Sequence, residues 1–290
     1  MDAVKKRLLL NPWNLIWLIL AGLYFLVPLY GTAEFSLETT PGHHGFDAYQ
    51  AVLQQSEFWS MFSLSLEIAV GTVIISLLLM LPTVFWVHLR LPRLRPVLDF
   101  IAVLPFVVPP VTLAVGILRL FGAATQQTSG VGNVFIGQPS SWLLSGTVFG
   151  LPSGIQLLAM SYVILAMPFT YRALDAGVRA IDLRTLTEAA QSLGAGWARV
   201  LLWIILPNLR SAMLSAAFLT LTLVMGEYTM ASLMLLNTFP IYMFQIGNEQ
   251  AYQAAALAVI SLLLTWIALL GVLVLGRSAN SREVQVGGAH

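Results

Sequence analysis

The chain has 290 residues, 58% hydrophobic and 9% charged, with 14 Lys and Arg against 13 Asp and Glu and a mean hydropathy of +0.83. Soluble domains carry about 25% charged residues because their surface must be hydrated, so this composition excludes an ordinary water-soluble globule. The net charge of +1 argues against a nucleic-acid binder, which needs a basic patch or stripe, and the lack of cysteine excludes disulfides and thiolate chemistry.

Apolar runs near the ~20 residues needed to cross a hydrocarbon core predict an all-α integral membrane protein of about six transmembrane helices. The first span covers about Trp13–Tyr30 and follows Lys5, Lys6 and Arg7. Read differently, those basic residues, the apolar run and Gly31-Thr32-Ala33 fit a secretory signal with its cleavage site, although Asn11, Pro12, Asn14 and Pro28 interrupt the run. The segment after it holds Glu34, Glu38, Asp47 and Glu57, and also His43-His44, a pair too short of ligands to make a metal site. Span two, about Phe62–His88, contains Glu67 and ends before Arg90, Arg93 and Arg95. Span three, about Val97–Phe121, contains Asp99, Pro105, Pro109, Pro110 and Arg119. Prolines of this kind, with Pro82 and Pro168, are expected to make local kinks whose freed backbone groups find neighbouring partners.

Residues 122–150 carry no charge and are expected to form an outer loop with short or re-entrant structure. Span four, about Gly154–Tyr171, leads into a segment rich in arginine: Arg172, Arg179, Arg184, Arg199 and Arg210. Span five covers about Asn208–Ala231 and span six about Tyr252–Leu275, with Glu249 before it and Arg277 and Arg282 after it. The tail with Gly287-Gly288 reads as a frayed end. Lys and Arg thus alternate with acidic or uncharged segments from one side of the membrane to the other, Arg119 excepted. Cytoplasmic loops hold the excess of Lys and Arg, so both termini are expected in the cytoplasm. Trp13, Trp17, Trp59 and Trp142 fit interfacial anchors.

The loop between spans four and five predicts a short helix, a break and a second helix entering the membrane. Thr185 and Glu188 have the spacing of a capping box, and Asp182 is a rival N-cap one turn earlier. Leu183, Leu186, Ala190 and Leu193 recur at helical spacing, Gly194 can end the helix in a left-handed conformation, and Pro207 suits the first turn of span five. An apolar stripe outside the bilayer has to be covered, by a protein partner, by the chain's own bundle or by the headgroup region.

Glu188-Ala189-Ala190, three residues, Gly194, nine residues, Ile204, one residue, then Leu206-Pro207 resembles at every fixed position the cytoplasmic signature of binding-protein-dependent ABC import permeases. The resemblance implies a single permease domain over residues 1–290, with an extra N-terminal helix (about 13–30), a core (about 62–276) and a cytoplasmic coupling loop (about 172–207). It implies that Glu188, Ala189, Ala190 and Gly194 dock a cytoplasmic ABC ATPase dimer, with Ile204, Leu206 and Pro207 setting the join to span five. It further implies a second permease subunit, an extracytoplasmic substrate-binding protein, and a bacterial inner membrane as the setting. The chain has no Gly-x-x-x-x-Gly-Lys-Ser/Thr loop, and its two lysines are Lys5 and Lys6, so no catalytic residue, metal or cofactor is expected here and ATP belongs to the partner.

Ionisable residues within spans are costly and so are functional candidates. Glu227 either lines the substrate path with Tyr228 or fixes helix packing. Glu67 is a second pathway candidate, with Arg119 as its counter-ion or as a headgroup anchor, and Asp99 and Asp175 fit polar caps near the cytoplasmic ends. The stretch Gly226–Ser232 with Asn237–Tyr242 is similar to spermidine/putrescine permeases, which implies a polyamine-like solute. Related patterns occur in iron, sulfate, molybdate and thiamine permeases, so an importer of iron, thiamine, a phosphonate or an oxyanion is the alternative. A secondary transporter would show paired, interrupted spans in two halves, and an intramembrane enzyme would show His-Glu-x-x-His or Gly-x-Ser-x-Gly. Neither pattern is present.

Overall fold

The computed structural model describes residues 12–40, 43–122 and 153–286. Lys5, Lys6, Arg7, the expected outer loop beyond Gly122, Trp142 and Gly287-Gly288 lie outside them. The chain opens with helix α1 (Pro12–Leu37) and two short strands, β1 (Glu38–Thr40) and β2 (His43–His44), paired antiparallel with Glu38 opposite His44. The two histidines expected in a plain loop therefore sit in a small β-bridge, both exposed. Next come α2 (Asp47–Gln54), α3 (Ser56–Arg90), a 3-10 turn (Pro92–Leu94), α4 (Arg95–Val107) and α5 (Pro110–Gly122). From Ser153 on, α6 (Ser153–Arg179) leads to α7 (Leu183–Ser192), α8 (Trp197–Val200), a π-helical turn (Leu201–Ile205) and a turn at Leu206–Asn208. Then follow α9 (Arg210–Met225), α10 (Thr229–Leu233), α11 (Phe239–Glu249) and α12 (Ala251–Val286).

Among the described residues three helical stretches are long and apolar enough to cross a membrane unaided: Leu15–Leu37, Ser56–Arg90 and Gly154–Arg179. Two bent pairs bring the number to five, and Ala251–Ile267 is a shorter apolar stretch. Span three is not one kinked helix, because α4 and α5 meet at 96°. Val108 is extended, with φ −86° and ψ 119°, as the residue before a proline prefers. Pro109 and Pro110 in succession remove two amide donors, so the helix stops rather than bends. Pro28, Pro82, Pro105 and Pro168, each isolated, stay inside their helices.

Span five is also broken. Residues Trp197–Asn208 and Arg210–Met225 lie 74° apart, with Leu209 off helical geometry at ψ 4°. Pro207 offers no N–H to the carbonyl of Trp203 and its ring crowds that carbonyl, which explains the wider π-helical turn just before it. At its far end α9 stops at Met225, short of the expected Ala231.

The chain divides into two compact units. One takes in residues up to Trp59 together with Met243–Leu264. In it the Ser36 hydroxyl and Tyr49 hydroxyl lie 2.6 Å apart, Phe35 packs on Tyr252 at 4.8 Å, and Gln55 Nε2 reaches Gln253 Oε1 at 3.4 Å. In α1 nearly every side chain from Trp13 to Tyr30 is exposed, an all-round apolar surface suited to lipid. The other unit takes in Ser60–Tyr242 and residues from Thr265 on. Its frame is α6 packed along α9. Gly177 permits this closeness, since a Cβ there would lie 2.3 Å from the Ala212 Cβ, and the Thr170 and Thr220 hydroxyls join the same two helices at 3.1 Å.

Two apolar cores form on that frame. One gathers Ile68, Ala114, Ile117, Leu158, Tyr162, Leu221, Val224 and Met230. The other gathers Leu81, Val84, Phe85, Ala102, Leu174, Val178, Ile205 and Leu209, together with Leu183 and Ala190 from α7.

Candidate functional site

Helix α7 starts at Asp182, not at Thr185. The Asp182 carboxylate accepts from the Thr185 amide at 3.2 Å and from the Thr185 hydroxyl at 2.7 Å, so the rival N-cap wins. These two donors hold its carboxyl below the usual carboxylate range, the hydroxyl contributing most. Glu188 does not close a capping box. It accepts instead from Arg184 Nε at 2.7 Å, one turn back on the exposed side, and that pair holds the Arg184 guanidinium above its ordinary value. The earlier start brings Leu183 under cover and lets the Thr187 hydroxyl reach the Leu183 carbonyl at 2.7 Å.

The helix ends in a Schellman turn. The Ala195 amide donates to the Ala190 carbonyl at 3.0 Å and the Gly194 amide to the Gln191 carbonyl at 2.9 Å. Gly194 takes φ +82°, the left-handed region that a residue without Cβ enters freely.

The apolar stripe of α7 is covered by the chain itself. Leu183, Thr187 and Ala190 are buried and Leu186 is half-buried against the second core. Ala190, expected on the docking face, therefore belongs to the seat of the helix. Ile204 and Leu206 also pack against that core and Pro207 is half-buried beside them. The outward face carries Arg184, Thr185, Glu188, Ala189, Ser192, Leu193 and Gly194. Leu193, read as part of the inward stripe, is 90% exposed, because the Schellman turn swings the chain off helical periodicity there. The strand of chain beyond is clipped to α3: Arg90 lies 4.4 Å over the Trp197 ring, which also meets Trp86 at 5.8 Å and Phe85 at 6.3 Å.

Asp99 and Asp175, expected as caps, join helices instead. The Tyr171 hydroxyl donates to Asp99, tying α6 to α4. One turn further along both helices, Asp175 Oδ1 lies 3.4 Å from Arg95 Nη2 and 3.1 Å from His88 Nε2, and Oδ2 lies 2.5 Å from Arg179 Nη2. The spacing of four between Arg95 and Asp99, mirrored by Tyr171 and Asp175 in the antiparallel sense, was the signal in the sequence for this pairing.

In the apolar core of α6 and α9, Glu227 is 9% exposed. Tyr162 donates its hydroxyl to Oε2 at 2.9 Å, and the Met230 amide lies 2.9 Å from Oε1 and 3.1 Å from Oε2. Captured by the first turn of α10, the carboxylate holds the break that ends α9. Tyr162 was missed in the sequence because its partner is 65 residues away. Tyr228 and Glu67 are exposed, as is Arg119, and no Glu67–Arg119 ion pair occurs among the described residues. Trp13, Trp17 and Trp59 are exposed.

Residues 89–279, more than half of the chain, match the family described as binding-protein-dependent transport system inner membrane component. The chain belongs to that family. The permease is 28% identical over 263 residues to a Haloferax volcanii permease named for molybdenum ABC transport, covering 87% of this chain and 88% of that one. It is 29% identical over 295 residues to PhnU of Salmonella typhimurium, a permease named for 2-aminoethylphosphonate transport, covering 96% of each. In fold it is similar to a chain of a bacterial ABC transporter involved in the import of the acidic polysaccharide alginate, with a TM-score of 0.70 at 16% identity, over 96% of this chain and 98% of that one. A second structure of an alginate transporter, in complex with its alginate pentasaccharide-bound periplasmic protein, gives a TM-score of 0.65 at 16% identity, covering 97% and 96%. The resemblance drawn from the loop therefore holds for the permease family. Its finer attribution to spermidine/putrescine permeases finds no support in these relatives, which are named for molybdenum and a phosphonate.

Proposed function

We propose that this permease forms the substrate path of an ATP-driven importer and that α7 is its coupling helix, seated on a cytoplasmic ABC ATPase. The observation that carries this reading is the one-sided burial of α7. Its apolar side is committed to the core shared by α3, α4, α6 and α9, while Glu188, Ala189, Leu193 and Gly194 face outward. A force applied to that outer face reaches four membrane helices through side chains already in contact. The reading includes six spans with both termini in the cytoplasm, a second permease subunit that is a paralogue of this one, and a binding protein outside.

The chain has no cysteine, so an Ala189→Cys variant offers one reactive position. In the assembled transporter it is expected to crosslink to the ATPase subunit and to be shielded from a membrane-impermeant thiol reagent added outside. Labelling from outside would place α7 on the wrong face and end the reading.

For the solute we propose a small oxyanion or phosphonate rather than a polyamine. The relatives' names support this, and so does the chemistry of Glu227. A cationic solute would be served by a carboxylate in its path, but the Glu227 oxygens already accept from Tyr162 and Met230. The role of Glu227 on this reading is to strut the α9–α10 break, leaving the exposed Tyr228 and Glu67 as pathway candidates. Uptake measured with molybdate, 2-aminoethylphosphonate and spermidine is expected to be saturable for one of the first two. Saturable spermidine uptake alone would restore the polyamine reading.

A further inference from the structure

We propose that Asp175 is the joint that binds the end of α3, the start of α4 and the end of α6 into one body moving with α7. The inference rests on α7 being the coupling helix and adds the part that passes its motion on. Apolar contacts alone let helices slide, since dispersion is non-directional and its individual contacts are weak. A buried carboxylate facing basic side chains from several segments is directional, and breaking it leaves charge uncompensated in a poorly hydrated place.

Asp175 is such a group. It is 8% exposed and faces His88 from the last turn of α3, Arg95 from the first residue of α4, and Arg179 from its own helix. His88 Nδ1 meets the Val84 carbonyl at 2.9 Å and its Nε2 faces the carboxylate, so the ring serves both acceptors as an imidazolium, with a proton on each nitrogen. One turn away, Tyr171 and Asp99 add a second polar link between α6 and α4. Two links spaced along an antiparallel helix pair resist rotation as well as separation, which a lone contact does not.

The cluster also sits where α7 is anchored. Tyr171, Leu174 and Val178, on the α6 turns that carry Asp175, lie in the same apolar core as Leu183 and Ala190 of α7. Arg90, two residues past His88, grips Trp197 on the far side of the coupling segment. The end of α3 thus reaches Asp175 of α6 with His88 Nε2, at 3.1 Å, and grips the coupling segment through Arg90. Displacement of α7 then carries the α3–α4 turn with it, and that turn sits at the inner ends of two membrane helices.

The test uses the complete transporter, with ATPase, partner permease and binding protein, in lipid nanodiscs. Spin labels are placed on Arg93→Cys, in the exposed α3–α4 turn, and on Ala180→Cys, just past α6. In the parent the distance distribution between them is expected to be narrow and the same without nucleotide and with ATP plus vanadate. With Asp175→Asn it is expected to broaden and to shift on nucleotide binding, and with Asp175→Glu to recover the narrow form. An Asp175→Asn distribution identical to the parent in both states would overturn the proposal, as would a parent distribution that itself shifts with nucleotide. If Asp175→Asn does not assemble, Arg95→Gln, which keeps His88 and Arg179 facing Asp175, takes its place and is decided by the same two outcomes. The Ala189→Cys crosslink separates the readings. Its loss with an intact distance response removes the coupling-helix reading and leaves the joint, whereas the crosslink with no response removes the joint alone.

Discussion

Two helices of this permease end in the same hydrogen-bonding turn but place different residues at its left-handed position. After α7 that residue is Gly194, with φ +82°, and after α10 it is Leu235, with φ 55° and a side chain 90% exposed. The α10 turn is closed by Leu236 donating to the Ala231 carbonyl at 3.0 Å and Leu235 to the Ser232 carbonyl at 3.2 Å. A left-handed non-glycine residue costs roughly 1–2 kcal/mol, so Leu235→Gly is expected to raise the thermal midpoint of the purified permease. Gly194→Ala is expected to lower it, at a cost of about 1–2 kcal/mol in stability, although the new Cβ would meet nothing within 4 Å. Comparing Gly194→Ala with Gly194→Trp separates backbone strain, shared by both, from bulk on the outward face of α7, found in Trp alone. The Asp182 cap carries a pH dependence of definite sign. Its carboxyl is depressed by Thr185, so the contribution of the cap is complete above the ordinary carboxylate value of about 3.9. It is lost as pH falls through the lower folded value, and hydrogen exchange at the Thr185 amide is expected to accelerate in that window and not above it.

At the scale of elements, the crossing of α6 and α9 at Gly177 is a close approach on which the fold depends. Gly177→Ala would drive a Cβ to 2.3 Å from that of Ala212, and since both atoms sit on helix backbones neither can swing away. Overpacking of this kind costs about 1–3 kcal/mol. The pair Gly177→Ala with Ala212→Gly is expected to recover most of the loss, as measured by thermal unfolding of single and double variants. Sequence reasoning found α7, its two candidate starts and its glycine stop because these are local: a carboxylate three residues before an amide, a glycine after an apolar turn. It found the prolines of span three but read them as kinks. Pro109 and Pro110 in succession, with Val108 extended before them, stop the helix outright, whereas the expectation of kinks treated each proline as an isolated one. Span five was cut twice, at Leu209 and after Met225. The π-helical turn before Pro207 and the Glu227 hold on Met230 are both invisible in apolar periodicity.

On the scale of the whole molecule, membrane residence, helical class and family were all readable from the chain. Charge scarcity, run length and a seven-residue signature depend on no distant contact. The place of Glu227 was not readable in the same way, because lining the substrate path and fixing helix packing both fitted the chain until Tyr162, 65 residues earlier, was found 2.9 Å from it. The uptake panel belongs to this scale, since on the proposed reading the solute is handled by the assembled transporter and not by one residue. By itself the sequence determined what solvent the chain lives in, where its helices start and stop at local caps, and which loop carries the importer signature, since composition and short-range spacing settle each of these. Tertiary structure decided which face of α7 is free, that Ala190 points inward and Leu193 outward, and that Asp175 meets three basic side chains. Those outcomes depend on helix directions set by packing: the matching intervals of four in Arg95–Asp99 and Tyr171–Asp175 can be read in the chain, but that the two helices lie side by side cannot.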